Sequence, residues 1–158
     1  VMKVIAIFSA LALATISASA YADGFKCETT DGTLNVKIYN NVEPQAGTRV
    51  GAVMIVSDPS VSSGRKTIAR FTDTNGVLES RGSRYEANVD LRFSDSARKG
   101  ENILGTKLGQ LDMIIADIDF SYAAPVEANE EVGGRLILVK RNGDRIKADL
   151  TCARYLKN

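Results

Sequence analysis

Apolar and polar residues alternate strictly along much of this chain. Leu34, Val36 and Ile38 alternate with Asn35, Lys37 and Tyr39, and Tyr85, Ala87, Val89, Leu91 and Phe93 with Glu86, Asn88, Asp90 and Arg92. Ile114, Ala116, Ile118, Phe120 and Tyr122 share a face opposite Asp117, Asp119 and Ser121. Ile146, Ala148, Leu150 and Cys152 oppose Lys147, Asp149 and Thr151. A period of two sends successive side chains to opposite faces of a strand, so these runs read as half-buried strands. The pattern predicts strands over 24–29, 33–40, 48–57, 65–72, 77–81, 84–94, 111–122 and 134–141, with 145–152 as a further run.

The punctuation between runs agrees. Asn142-Gly143, Asp31-Gly32 and Asn75-Gly76 each separate two such runs. They match type I′ hairpin turns, whose two central residues take positive φ. Frequent short strands joined by tight turns predict an all-β fold, an antiparallel β-barrel of about eight strands, with a β-sandwich as the alternative. Three stretches are apolar on both faces: Ala52 to Val56, Met113 to Ala116 and Leu136 to Val139. A wall facing water should be polar outside, so a loop, a second layer or another copy of the chain in a homo-oligomer is expected to cover them.

The first residues break the alternation. Lys3 precedes an almost wholly apolar run from Val4 to Ile16, and small residues lead to Ala20-Tyr21-Ala22. That order predicts a signal peptide over 1–22, cut after Ala22 (a cut after Ala20 is the close alternative), and a single domain over 23–158. The apolar run is shorter than the roughly 20 residues of a membrane-spanning helix. The expected location is periplasmic or secreted, with no span left after cleavage. An outer-membrane barrel is disfavoured, because Lys37, Asp90, Arg92, Asp117 and Lys147 on outward positions would be costly in lipid.

Composition then narrows the chemistry. The chain carries 20 Lys+Arg and 19 Asp+Glu, and removing a leader containing Lys3 leaves the domain neutral. A neutral domain has no overall attraction for nucleic acid. Histidine is absent, which removes the usual general base and the commonest metal ligand. No catalytic activity, metal or cofactor is expected. The two cysteines, Cys27 and Cys152, fall on inward positions of the first and last strands. In an exported chain they are expected to form one disulfide.

The longest connection, 94–110, contains Arg98, Lys99, Glu101 and Lys107, which are the candidate binding residues. Long loops on rigid scaffolds often bind, and the competing reading is a plug over a barrel end. Asp112, Asp117 and Asp119 read as a solvated face, Asp73-Thr74-Asn75-Gly76 as a turn, and Glu127, Glu130 and Glu131 as an acidic loop. Ser63 with Lys66, and Ser96 with Lys99, have a serine–lysine spacing without its companion motifs. Tyr39 and Tyr122 lie near strand ends, where a pocket mouth would be. The leading expectation is an exported, non-catalytic β-barrel that binds a small apolar ligand or a protein. Its alternative is a packed interaction protein assembling through its outer apolar surface. A solid core of Val89, Leu91, Ile118 and Phe120 would favour the alternative over an internal pocket.

Overall fold

The alternation becomes burial. Phe25, Cys27 and Thr29 are buried while Lys26 and Glu28 are exposed; Val36, Ile38 and Asn40 are buried between half-exposed Asn35, Lys37 and Tyr39. The computed structural model of the protein describes residues 22–40, 49–61, 67–71, 76–81, 84–91, 101–122 and 124–157. The leader expected over 1–22 therefore lies outside the described residues except for Ala22.

Twelve strands form among the described residues. They are β1 (Ala22–Thr29), β2 (Asn35–Asn40), β3 (Arg49–Gly51), β4 (Val53–Ser57), β5 (Thr67–Phe71) and β6 (Gly76–Arg81). Then follow β7 (Arg84–Asp90), β8 (Asn102–Ile103), β9 (Thr106–Lys107), β10 (Leu111–Ile118), β11 (Glu131–Lys140) and β12 (Arg145–Lys157). Ten of them make one sheet in the order β3-β6-β7-β10-β11-β12-β1-β2-β4-β5, curled into a half-barrel. Each pairing is antiparallel. The remaining two strands, β8 and β9, pair as a separate small hairpin.

Each run expected to be a strand contains one, with moved boundaries. The 48–57 run is split at Ala52 into β3 and β4, which pair with β6 and with β2 and β5 respectively. The 111–122 strand stops at Ile118, whereas β12 continues to Lys157.

The turn types differ from expectation. Only Gly32 and Gly143 take positive φ, at 72° and 90°, not the Asp31 and Asn142 before them. In the 140–145 hairpin the Gly143 amide donates to the Lys140 carbonyl (2.9 Å) and the Lys140 amide to that of Asp144 (2.8 Å). This is a three-residue loop closing on a left-handed glycine, which a preceding Asn suits equally well. Both residues with positive φ occur instead at Leu104 (50°) and Gly105 (76°), the tip of the β8–β9 hairpin.

Inward residues form one buried cluster, centred on Phe25, Tyr85 and Phe120. Phe25 meets Tyr85 and Phe120 edge-on, with ring centroids 4.9 and 5.0 Å apart. Between β7 and β10, Ile103 and Leu108 of the 101–110 segment join the same cluster. Cys27 and Cys152 are direct register partners on β1 and β12, buried and disulfide-bonded as expected.

Candidate functional site

Val89, Leu91, Ile118 and Phe120 are all buried in the one cluster. Among the described residues the inner face carries buried side chains. At the end holding the start of β1, the filling is polar. Asp23 accepts from the Arg154 guanidinium at 3.1 Å and from the Tyr122 hydroxyl at 3.0 Å. Arg154 also donates to the Val126 carbonyl (2.6 Å) and lies over the Phe120 ring. The buried Tyr85 hydroxyl donates to the Asn40 side chain at 3.0 Å. Burial, reinforced by the nearby Asp23 charge, raises the Tyr122 hydroxyl above the ordinary tyrosine range, and burial raises that of Tyr85 well above it too. Both phenols stay protonated at neutral pH, and the cluster ties the start of β1 to β12 and to Tyr122. Sequence reasoning missed Asp23 and Arg154, although both fall in phase with the inward residues of their strands.

Open space lies instead on the outer face of β12, β1, β2 and β4. Register fixes three rows of outward residues there. Tyr155, Gly24, Tyr39 and Val53 form the first; Ala153, Lys26, Lys37 and Ile55 the second; Thr151, Glu28, Asn35 and Ser57 the third. Gly24 offers no side chain, and a Cβ there would run into the Ile38 carbonyl. Tyr39 and Tyr155 therefore meet across it, with centroids 5.7 Å apart and planes at 77°. The Lys26 ammonium sits over the Tyr155 ring, 4.3 Å from its centre. Two grooves flank β2. One of about 480 Å³ is lined by residues that include Lys26, Glu28, Glu131 and Thr151; one of about 450 Å³ includes Tyr39, Ile55, Ser57 and Thr67. Asn35 and Lys37 belong to both.

Of the candidate loop, residues 101–110 are described. Ile103 and Leu108 anchor it in the core, and the Leu108 amide donates to the Glu101 carbonyl at 2.9 Å. Lys107 is exposed and Glu101 half-exposed; Arg98 and Lys99 lie outside the described residues. The hairpin tip, Leu104-Gly105, lines a groove of about 440 Å³ with Asp31, Thr33, Asp58 and Ile68. Glu101 and Lys107 thus flank a hairpin whose Asn102, Leu104 and Gly105 line that groove.

Arg84 bridges Asp117 (2.7 Å) and Asp119, and Arg141 lies 3.7 Å from Asp112. These carboxylates face arginines, and no metal-binding cluster occurs among the described residues. Glu130 accepts from the Glu127 amide, at 3.0 Å. Residues 73–75, 63–66 and 96–99 lie outside the described residues. Tyr39 lies on the outer groove, whereas Tyr122 is tied to Asp23. Among the doubly apolar runs, Ile115 on β10 has Ile137 and Asn88 as register partners and keeps only 8% of its surface exposed. The sheet's own outer side chains cover part of that strip. No helix among the described residues is long and apolar enough to cross a membrane. No protein-family model matches this chain, and no curated protein matches it at significant similarity.

Proposed function

We propose that this chain is an exported, non-catalytic binding protein that holds its ligand or partner on its exterior, along the grooves over β12, β1, β2 and β4. The observation that carries this reading is the contrast between a core filled around Phe25, Tyr85 and Phe120 and the open outer grooves that share Lys37. A pocket for a small ligand needs a concave surface with a few convergent polar groups, and the outer face supplies them. Export is supported by the leader pattern of 1–22 and by a disulfide in an all-β chain.

We read the curled sheet further as a closed eight-strand barrel. What supports closure is that β3 and β4 are two halves of one run, interrupted only at Ala52. β3 ends one edge of the strand order, and β4 pairs with β5 at the other. Closure removes free sheet edges, which otherwise invite association.

The test is native mass spectrometry of the protein purified from its own compartment, beside a Lys37→Glu/Thr151→Arg variant that fills the groove. A co-purified species lost from the variant is the expected result. A species retained by the variant, with inward residues such as Val89 protected from hydrogen exchange, would overturn the exterior reading. The assembly alternative rests on outward Met113, Ile115, Ile137 and Val139, which adjoin on β10 and β11. Sedimentation at high concentration decides it, and a monomer argues against self-association.

A further inference from the structure

We infer that the outer groove takes an acidic saccharide, a sugar ring carrying a carboxylate or sulfate; this rests on the exterior-binding reading above. Lys26 and Lys37 are direct register partners on outward positions of β1 and β2. Like charges placed directly opposite on neighbouring strands repel and weaken a sheet. Within the fold, neither lysine has a carboxylate at ion-pair distance among the described residues. An anion seated between the two ammonium groups removes that repulsion and accepts hydrogen bonds from both.

The flanks of this pair define what carries the anion. On one side stand Tyr39 and Tyr155, held edge-to-face across Gly24. One face of Tyr155 carries the Lys26 ammonium; the aromatic surface left by the pair offers an apolar face to the C–H face of a sugar and hydroxyls to its polar rim. On the other side Asn35, Thr151 and Ser57 supply neutral donors and acceptors for ring hydroxyls. Glu28, exposed beside Asn35, repels a second anionic group at that end and fixes which way the ligand lies.

Other polyanions fit less well. A nucleic acid needs a basic stripe for successive phosphates and a stacking platform, whereas this domain is neutral and the groove sets two cations beside the carboxylates of Glu28 and Glu131. A phospholipid needs apolar depth for its chains, and this groove is shallow and mixed in polarity.

The test uses the mature chain, trigalacturonate and a sulfated disaccharide as acidic probes, and maltotriose and inorganic phosphate as controls, followed by amide NMR. An acidic sugar should shift the amides of 26–28, 35–39 and 151–155 and bind at least about tenfold tighter than maltotriose. Affinity should fall steeply with salt. The Lys26→Gln/Lys37→Gln variant should lose binding at least about tenfold while melting no lower than the parent, because the repulsion is gone. Tyr155→Ala should reduce binding of the sugar acids without changing that of phosphate. Equal affinity for maltotriose, or full binding by the double lysine variant, overturns the inference. Groove amides silent to both acidic sugars also overturn it, yet leave the exterior reading standing if the native ligand is lost from the groove-filling variant. A native ligand lodged against the inward residues overturns both.

Discussion

Asp23 and Arg154 form a buried ion pair on the inward face of the two strands that the disulfide joins, with Nη2 and Oδ2 3.1 Å apart. Only 1% of Asp23 and 8% of Arg154 is exposed. Removing one partner leaves a buried charge uncompensated. Asp23→Leu or Arg154→Met should therefore destabilise the fold by roughly 3–5 kcal/mol. The double Asp23→Leu/Arg154→Met variant should recover much of that loss. Urea denaturation of all four proteins, read as a double-mutant cycle, checks the coupling; additive losses would show that the pair is not the source.

Cys27 and Cys152 are 125 positions apart, so their bridge removes a large loop-closure entropy from the unfolded chain. The Cys27→Ala/Cys152→Ala protein should be less stable by roughly 3–5 kcal/mol. Mass measurement of the alkylated, unreduced parent should find no free thiol. Two alkylated cysteines would refute the bridge.

Two glycines separate crowding from backbone strain. At Gly24 a Cβ meets the Ile38 carbonyl, whereas at Gly143 it meets nothing within 4 Å but must adopt a φ of +90°. Gly24→Ala should cost roughly 3 kcal/mol, because β1 must part from β2. Gly143→Ala should cost about 1 kcal/mol. Thermal melts of the two variants should rank them in that order, and a reversed ranking would contradict the close approach of β1 to β2.

Acid and alkali should act through different ends of the molecule. Hydrogen bonds from the Thr33 hydroxyl and amide and from the Thr29 hydroxyl hold the Asp31 carboxyl below its ordinary range. Its contribution is complete above the unfolded carboxylate range, near pH 4, and is lost as pH falls through the lower folded value. Asp31→Asn should flatten the acid limb of the stability profile. Tyr122 shifts upward, chiefly through burial. Its contribution is complete below about pH 10 and is lost as pH rises towards the folded value. Tyr122→Phe should flatten the alkaline limb, followed by denaturation alongside tyrosinate absorbance. Unchanged limbs in both variants would remove these groups as the cause.

Much of the sheet is legible because burial on one face writes a period of two into each strand. Leu34–Val36–Ile38 and Tyr85–Ala87–Val89 are the clearest cases. The turns at Asp31-Gly32 and Asn142-Gly143 were located but mistyped, since Asp or Asn before Gly serves loops of several lengths. Leu104-Gly105 carries no hairpin signature, because leucine rarely takes positive φ; its side chain packs against the core instead. The groove is hidden for a different reason. Lys26 and Lys37 are eleven positions apart, and only the pairing of β1 with β2 makes them neighbours.

The pairing of β1 with β12 also sets a timetable. One edge of β1 finds β2 within a dozen residues, but its other edge waits for 150–157, at the far end of the chain. Contacts this distant in sequence form slowly, because a long loop must close before they stabilise anything. On β1, Asp23 and Cys27 therefore remain without Arg154 and Cys152 until 150–157 has been made.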